Sequence, residues 1–380
     1  MKRSIAGIAA VAALALTLTA CGNDAVPSDP TTGGGSTETT GEGADTPDAP
    51  ELSGTIAGAG ASSQEKGQNA WAAEFGIATG VDVSYDPSGS GNGRTAFIDG
   101  SVVFAGSDSA MKPEEIEAAT ARCYGAEPIE VPLWISPIAV VYNIPALNDS
   151  HVNMTAETIA QVFRGEITNW NDPAIAASNP DVELPDLQIV PVNRSDKSGT
   201  TKNFQEYLIA AAGDAWPFES DEVWPIEGTQ SGAQTSGMLE VVSGAEGTIG
   251  YVDASRVGEL GSVAVGVGSE FVPFSSEAAA KIVDISSPTD DATELRQTIS
   301  LARDTEESGV YPVVLVSYLI ACSAYENEQD AANVQAYLNF IASEEGQNLA
   351  AQPEVGGIAP ISSALRERVV AALDQIAVAN

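Results

Sequence analysis

A chain of 380 residues with 43% hydrophobic composition is long enough for two domains, or one bilobed unit, around a substantial core. Its 53 acidic and 16 basic residues give a formal net charge of −37, which excludes a nucleic-acid binder and predicts a soluble, salt-tolerant exterior. The single histidine, His151, excludes a His-based triad or a multi-His zinc site, and its turn-rich surroundings, Asn148 to Asn153, read as surface.

The chain opens with Met1-Lys2-Arg3 and an apolar run from Ile5 to Leu18. This reads as a secretory signal over residues 1–20, too short for a membrane span. Leu18-Thr19-Ala20-Cys21 resembles the bacterial lipobox. That resemblance implies cleavage before Cys21 and lipidation of its thiol and new amine. Gly22 to Pro50 holds Gly, Ser, Thr, Pro, Asp and Glu and almost no large apolar residue. Residues 21–50 therefore read as a lipidated cysteine on a disordered tether.

Leu52 to Ile56 is expected as a strand, followed by Gly58-Ala59-Gly60-Ala61 and a helix with Ser62 and Glu65 at capping-box spacing. Val81 to Tyr85 alternates like a strand and runs into Ser88-Gly89-Ser90-Gly91, a Gly/Ser turn at a helix start. Val102 to Ala105 forms a strand ending in Gly106-Ser107-Asp108-Ser109. Asp108 lies where α/β folds place ligand groups, although it or Ser109 could instead cap the next helix. Two strands are expected at Val131 to Ile135 and Ile138 to Tyr142, and a helix from Thr155 to Phe163. Gly165 to Asp172 is a polar turn anchored by Trp170.

Ile189 to Asn193 reads as a buried strand, and the helix after it begins near Thr201. Between them lies Arg194-Ser195-Asp196-Lys197-Ser198-Gly199-Thr200. Arg194 offers planar, always-charged donors, and Asp196 stands two residues away. The helix start adds unpaired N–H groups and a positive dipole end, and Gly199 permits close backbone approach. Those parts make an oxyanion site; a capped helix beside a surface ion pair is the plainer reading of the same stretch. Gly228 to Gly237 lines a cleft or forms a mobile surface loop. Gly247 to Val252 and Tyr311 to Ala321 read as strands, and Ala331 to Ala350 and Ser363 to Ala379 as amphipathic helices. Strands alternating with helices indicate an α/β architecture.

Taken together, Gly58-Ala59-Gly60-Ala61-Ser62, Gly89-Ser90-Gly91, Gly106-Ser107-Asp108, Gly165 to Asp172, Arg194-x-Asp196-x-Ser198-Gly199-Thr200 and Ile249-Gly250-Tyr251 resemble the phosphate-binding proteins of phosphate-specific ABC transporters, the PstS family. The resemblance covers roughly Leu52 to Asn380. It implies a two-lobed, type II-like periplasmic-binding-protein fold, with mixed sheets flanked by helices and inorganic phosphate closed in a cleft between the lobes. Lobe one would hold 51–131 and 312–380, and lobe two 132–311. Ser62, Ser63 and Ser90 would donate to phosphate oxygens. Asp108 would accept the proton that phosphate keeps and sulfate lacks. Arg194, held by Asp196, would supply the cation, and Ser198, Gly199 and Thr200 the remaining donors. Many family members carry Thr-Phe-Pro where this chain has Ser62-Ser63-Gln64, so the roles of Ser62 and Ser63 rest on backbone N–H groups as much as on hydroxyls.

The same layout puts Cys123 just before the crossing to lobe two and Cys322 just after the return, which favours a disulfide over two free thiols in an oxidising compartment. The function implied is non-catalytic capture of phosphate by a monomer, lipid-anchored at the extracytoplasmic face of the cell membrane. The phosphate would pass to the permease subunits of an ABC transporter, with neither cofactor nor metal. A receptor for another oxyanion such as sulfate, and a secreted phosphatase using Ser90 or Ser198, are the competing readings. The phosphatase lacks a His base and a dense metal cluster.

Overall fold

The computed structural model describes residues 51–148 and 150–379. The signal segment 1–20, Cys21 and the tether 21–50 lie outside the described residues. Along the chain the elements are β1 (Thr55–Gly60), α1 (Glu65–Thr79), β2 (Asp82–Asp86), α2 (Ser90–Ile98), β3 (Phe104–Ser107), α3 (Pro113–Arg122), β4 (Pro128–Tyr142), β5 (His151–Met154), α4 (Ala156–Phe163), α5 (Pro173–Ala176), β6 (Val190–Arg194) and α6 (Gly199–Ala212). They continue as β7 (Gln230–Gly232), α7 (Gln234–Ser243), β8 (Thr248–Asp253), β9 (Gly261–Val267), β10 (Glu270–Val272), α8 (Ser276–Asp284), β11 (Ser287–Pro288), β12 (Ile299–Ser300), β13 (Val314–Cys322), β14 (Ala324–Tyr325), α9 (Glu328–Ala342), α10 (Glu344–Ala351), α11 (Ser363–Leu373) and β15 (Ala377–Val378).

Eleven strands form one mixed sheet, with the path β2-β1-β3-β13-β4-β8-β6-β7 and β9, β5 and β10 attached beside β4. The first three strands are parallel, as are β8, β6 and β7, while β13 and β4 run antiparallel to their neighbours. Every residue of β4 and β13 is buried, as their predominantly apolar sequences require of strands covered on both faces.

The expected pair of strands at 131–135 and 138–142 is a single strand of 15 residues. Two of its three prolines, Pro132 and Pro137, mark irregularities in pairing, not ends. Beside Pro132 the register with β13 slips, leaving Leu133 without a partner. At Pro137 β4 stops pairing with β13, and from Ile138 onward it pairs with β8. A proline lacks a ladder donor and is tolerated where the ladder is interrupted. The first half of β4 thus belongs with β1–β3 and β13, and the second half with β8, β9 and β6.

Two helix expectations also change. The stretch 331–350 splits at Ser343, whose extended backbone ends α9 and whose hydroxyl accepts from Gly346 N (3.0 Å) to cap α10. The last helix stops at Leu373, because Ala377–Val378 pairs with Ala324–Tyr325. Cys123, closing α3, is bonded to Cys322, the last residue of β13. Among the described residues no helix is long and apolar enough to cross a membrane.

Candidate functional site

β1 and β2 are parallel in one half of the sheet and β6 and β7 in the other, the two pairs running in opposite directions across antiparallel β13 and β4, and each of these four strands opens into a helix. β1 leads to α1, β2 to α2, β6 to α6 and β7 to α7. The loops between them meet around Asp108, at the end of β3.

Asp108 is 3% exposed. One carboxylate oxygen accepts from Ser63 Oγ (2.6 Å), in the β1–α1 loop; the other accepts from Thr200 Oγ1 (2.8 Å), in the first turn of α6. Its backbone N–H donates to Ser90 Oγ (3.1 Å), at the start of α2, and its carbonyl accepts from Asn203 Nδ2 (2.5 Å). Neither Asp108 nor Ser109 caps the next helix; that position is Lys112. Gly199 lies so close that a Cβ there would stand 2.7 Å from Asp108 Cβ. Only glycine lets the α6 N-terminus reach the carboxylate.

Arg194 is the last residue of β6 and 4% exposed. Its Nε and Nη2 grip both oxygens of Asp196, at 2.8 and 2.6 Å. Asp196 also accepts from Gln234 N (2.9 Å), the first residue of α7. Burial pushes the Asp196 carboxyl up, but the Arg194 fork and the Gln234 N–H outweigh it and hold the group below the usual carboxylate range. Gly89, at φ 100°, passes over this pair, where a Cβ would meet Asp196 Oδ2 at 2.7 Å.

Ser198 caps α6 by accepting from Thr201 N (3.2 Å), and its own N–H is taken by Glu222 O (3.0 Å). Its hydroxyl hydrogen is the donor left for a ligand. Ser62 departs from expectation. The capping box with Glu65 is not made: α1 starts after Gln64, without a side-chain cap. Ser62 Oγ instead meets Thr235 Oγ1 (2.9 Å) and accepts from Thr235 N (3.2 Å) across the site, while Glu65 pairs with Arg256 (2.7 Å). A partner from α7 wins over the local cap because both groups are buried, and an unpaired buried N–H is costly.

The structure therefore brings Ser62, Ser63, Ser90, Asp108, Arg194, Asp196, Ser198, Gly199 and Thr200 into one cluster. Gln234 and Thr235 join it from the Gly228–Gly237 stretch, so that loop lines the site. Gln234 holds φ 60°, a conformation uncommon outside glycine, as it turns into α7. Behind the cluster Tyr251 touches Thr201 Oγ1 (2.8 Å), accepts from Arg194 N (3.3 Å) and stacks on Phe204 at 4.5 Å. Burial pushes the Tyr251 hydroxyl up to about 12, so it stays neutral. His151 is exposed on β5, its Nδ1 paired with Ser262 Oγ at 2.8 Å. Among the described residues no group of three or more His, Cys, Asp or Glu side chains is placed to hold a metal.

The starts of α1, α2 and α6 thus converge on one buried acceptor, with Arg194 and the start of α7 joined to them through Asp196 and Ser62. The arrangement suits a small oxyanion that retains a proton, whatever the net charge of the whole chain. Screening over about 8 Å uncouples remote surface carboxylates from a buried site.

The profile of the PBP superfamily domain matches residues 36–345. The chain is 31% identical to phosphate-binding protein PstS 3 of Mycobacterium tuberculosis (strain ATCC 25618 / H37Rv) over 385 aligned positions, covering 99% of this chain and 100% of that protein. This chain belongs to the PstS family. A solved high affinity periplasmic phosphate-binding protein bound with phosphate shares the fold of this family member at a TM-score of 0.68 and 20% identity, over 83% of this chain and 93% of its own. The phosphate-binding protein from Stenotrophomonas maltophilia does so at a TM-score of 0.63 and 19% identity, over the same shares, 83% and 93%.

One carboxyl behind the site sets a pH dependence. Glu130, on β4, is fully buried; Oε1 accepts from Met111 N (2.8 Å), and Oε2 has no hydrogen-bond partner. Desolvation raises its pKa from 4.5 to about 7. A carboxyl raised on folding holds its proton more tightly in the native state. Its contribution is present in full below the unfolded pKa and is lost as pH rises towards 7. At one pKa unit per 1.36 kcal/mol, the loss is of order 3 kcal/mol. Buried Asp253, raised to about 6, acts in the same direction. The melting temperature should fall between pH 5 and pH 8, and Glu130→Gln should flatten most of that slope in calorimetric scans. An unchanged slope in the variant would assign the dependence to other groups.

Proposed function

We propose that this chain is the substrate-binding component of a phosphate ABC transporter, capturing inorganic phosphate between two lobes and delivering it to the permease. The observation that carries the reading is Asp108, an acceptor ringed by donors. Ser63 and Thr200 orient its carboxylate, and each oxygen keeps a lone pair for the proton of a phosphate P–OH. Arg194, the Ser198 hydroxyl and the starts of α1, α2, α6 and α7 supply donors for the other oxygens. Lobe one takes 51–131 with 312–380 and lobe two 132–311. The chain works as a monomer without catalysis, held at the extracytoplasmic face of the membrane through lipidated Cys21 after removal of residues 1–20.

Sulfate cannot supply the proton, so it would leave a buried carboxylate facing an anion. That mismatch costs several kcal/mol, on the order of a thousandfold in affinity. Calorimetric titration of the anion-stripped protein should show one-to-one phosphate binding and no heat from sulfate. Asp108→Asn should weaken phosphate about a hundredfold and admit sulfate, since the amide can donate where the carboxylate repels. Tight sulfate binding by the unaltered protein would replace phosphate with another oxyanion, and steady release of phosphate from an ester would revive the phosphatase.

A further inference from the structure

Beside the anion cluster lies a second buried arginine that sequence reading passed over. Arg94, one turn into α2, is 1% exposed. Within its own half of the molecule it donates from Nη1 to Ser107 Oγ (2.8 Å) and Ser109 Oγ (3.1 Å), the residues on either side of Asp108, and from Nε to Glu115 (3.0 Å). It also reaches across to Glu222, in the segment between α6 and β7, with two hydrogen bonds of 2.8 Å each. Ser109 Oγ adds a third to the same carboxylate at 2.6 Å.

Glu222 is only 3% exposed, and its backbone carbonyl accepts from Ser198 N, the α6 cap (3.0 Å). The carboxylate is therefore tied by its own backbone to one wall of the site and by Arg94 to the other. A Cβ on Gly91 would lie 3.2 Å from Glu222 Oε2 and 2.8 Å from Lys197 Cβ, so α2 and the 194–200 loop touch here. Burial pushes the Glu222 carboxyl up, but its hydrogen bonds from Arg94, with the Arg94 charge, hold it below the usual range. A second ion pair, Arg256–Glu65, joins α1 to the 254–256 turn but leaves its side chains 17% and 35% exposed. A pair that wet contributes little.

We infer that Arg94 and Glu222 are positioning residues for anion capture, a latch that joins the two walls of the site and sets how long a captured anion stays. The inference rests on the phosphate reading for its ligand, but not for its geometry. Arg94 cannot serve as a second ligand cation while Glu222 occupies its fork. The pair acts through Ser107 and Ser109, which hold the backbone that presents Asp108. In an open molecule both groups would be hydrated and apart. In the closed one they are desolvated together, so removing one leaves the other buried and unpaired.

The test is stopped-flow phosphate binding to the full-length protein and to Glu222→Gln, Arg94→Met and the double variant Arg94→Met/Glu222→Leu. Glu222→Gln should raise the phosphate dissociation rate about tenfold or more while the association rate changes less than about threefold, since closure and not encounter is impaired. The double variant, which buries no unpaired charge, should dissociate more slowly than either single variant. Equal dissociation rates in Glu222→Gln and the unaltered protein, or losses in the two singles that simply add in the double, would overturn the latch. Small-angle scattering without phosphate supplies a second readout: Glu222→Gln should have the larger radius of gyration, and an identical radius counts against the proposal. If the unaltered protein bound no phosphate but the scattering difference held, the ligand reading would fall and the latch would stand.

Discussion

Arg194→Met should weaken phosphate binding about a thousandfold by calorimetry. The expected loss of ~3–5 kcal/mol is that of a buried pair with one member removed. Two effects combine. The anion loses the fixed cation of its site, and Asp196, 14% exposed at its side chain, is left as an uncompensated carboxylate beside it. Arg194→Lys should fall between the two proteins, because an ammonium keeps the charge but cannot hold both oxygens of Asp196 and a ligand in one plane. Adding Asp196→Asn to Arg194→Met should recover part of the loss by removing the repulsion while leaving the missing donors unrestored. A loss of less than tenfold in Arg194→Met would mean that the helix N-termini carry the binding and that Arg194 is a structural partner of Asp196.

Cys123→Ser with Cys322→Ser should cost the largest share of folding stability. The two cysteines are separated by 199 positions, so the cross-link closes most of the chain between α3 and the end of β13. On the chain-entropy account, a loop of that size contributes about 5 kcal/mol through the unfolded state. Denaturant titration of the double variant and of the oxidised protein gives the difference directly. The slope should rise in the variant along with the lower midpoint, because an uncrosslinked unfolded chain exposes more surface. A change below about 1 kcal/mol would show that residual structure already confines the reduced chain.

Phosphate affinity itself should respond little to this cross-link. The bond lies at the far ends of α3 and β13, whereas the site is built from the ends of β1, β2, β3, β6 and β7. Stability and binding are thus separable in this fold, and the two variants should move different observables.

Much of the site was legible in the residues because its chemistry is local. A strand, a glycine-rich turn and a hydroxyl at a helix start recur at Gly58–Ser63, Pro87–Ser90 and Arg194–Thr200. Each is readable without knowing its neighbours, because backbone conformation and capping depend on residues a few positions apart. Asp108 at a strand end and Arg194 two residues from Asp196 are of the same kind. What the chain alone left open was which partner each polar group would take. Ser62 looked like a cap and became a contact with Thr235, 173 positions away. The break expected between Ile135 and Ile138 proved to be the point within one strand where β4 exchanges β13 for β8. Arg94 and Glu222, 128 positions apart, carried no local pattern at all. The reason is physical. Periodicity and turn chemistry are set by short-range sterics and hydrogen bonds, and one chain displays them in full. The pairing of buried polar groups is decided by desolvation, which exists only once the sheet has closed and removed the water.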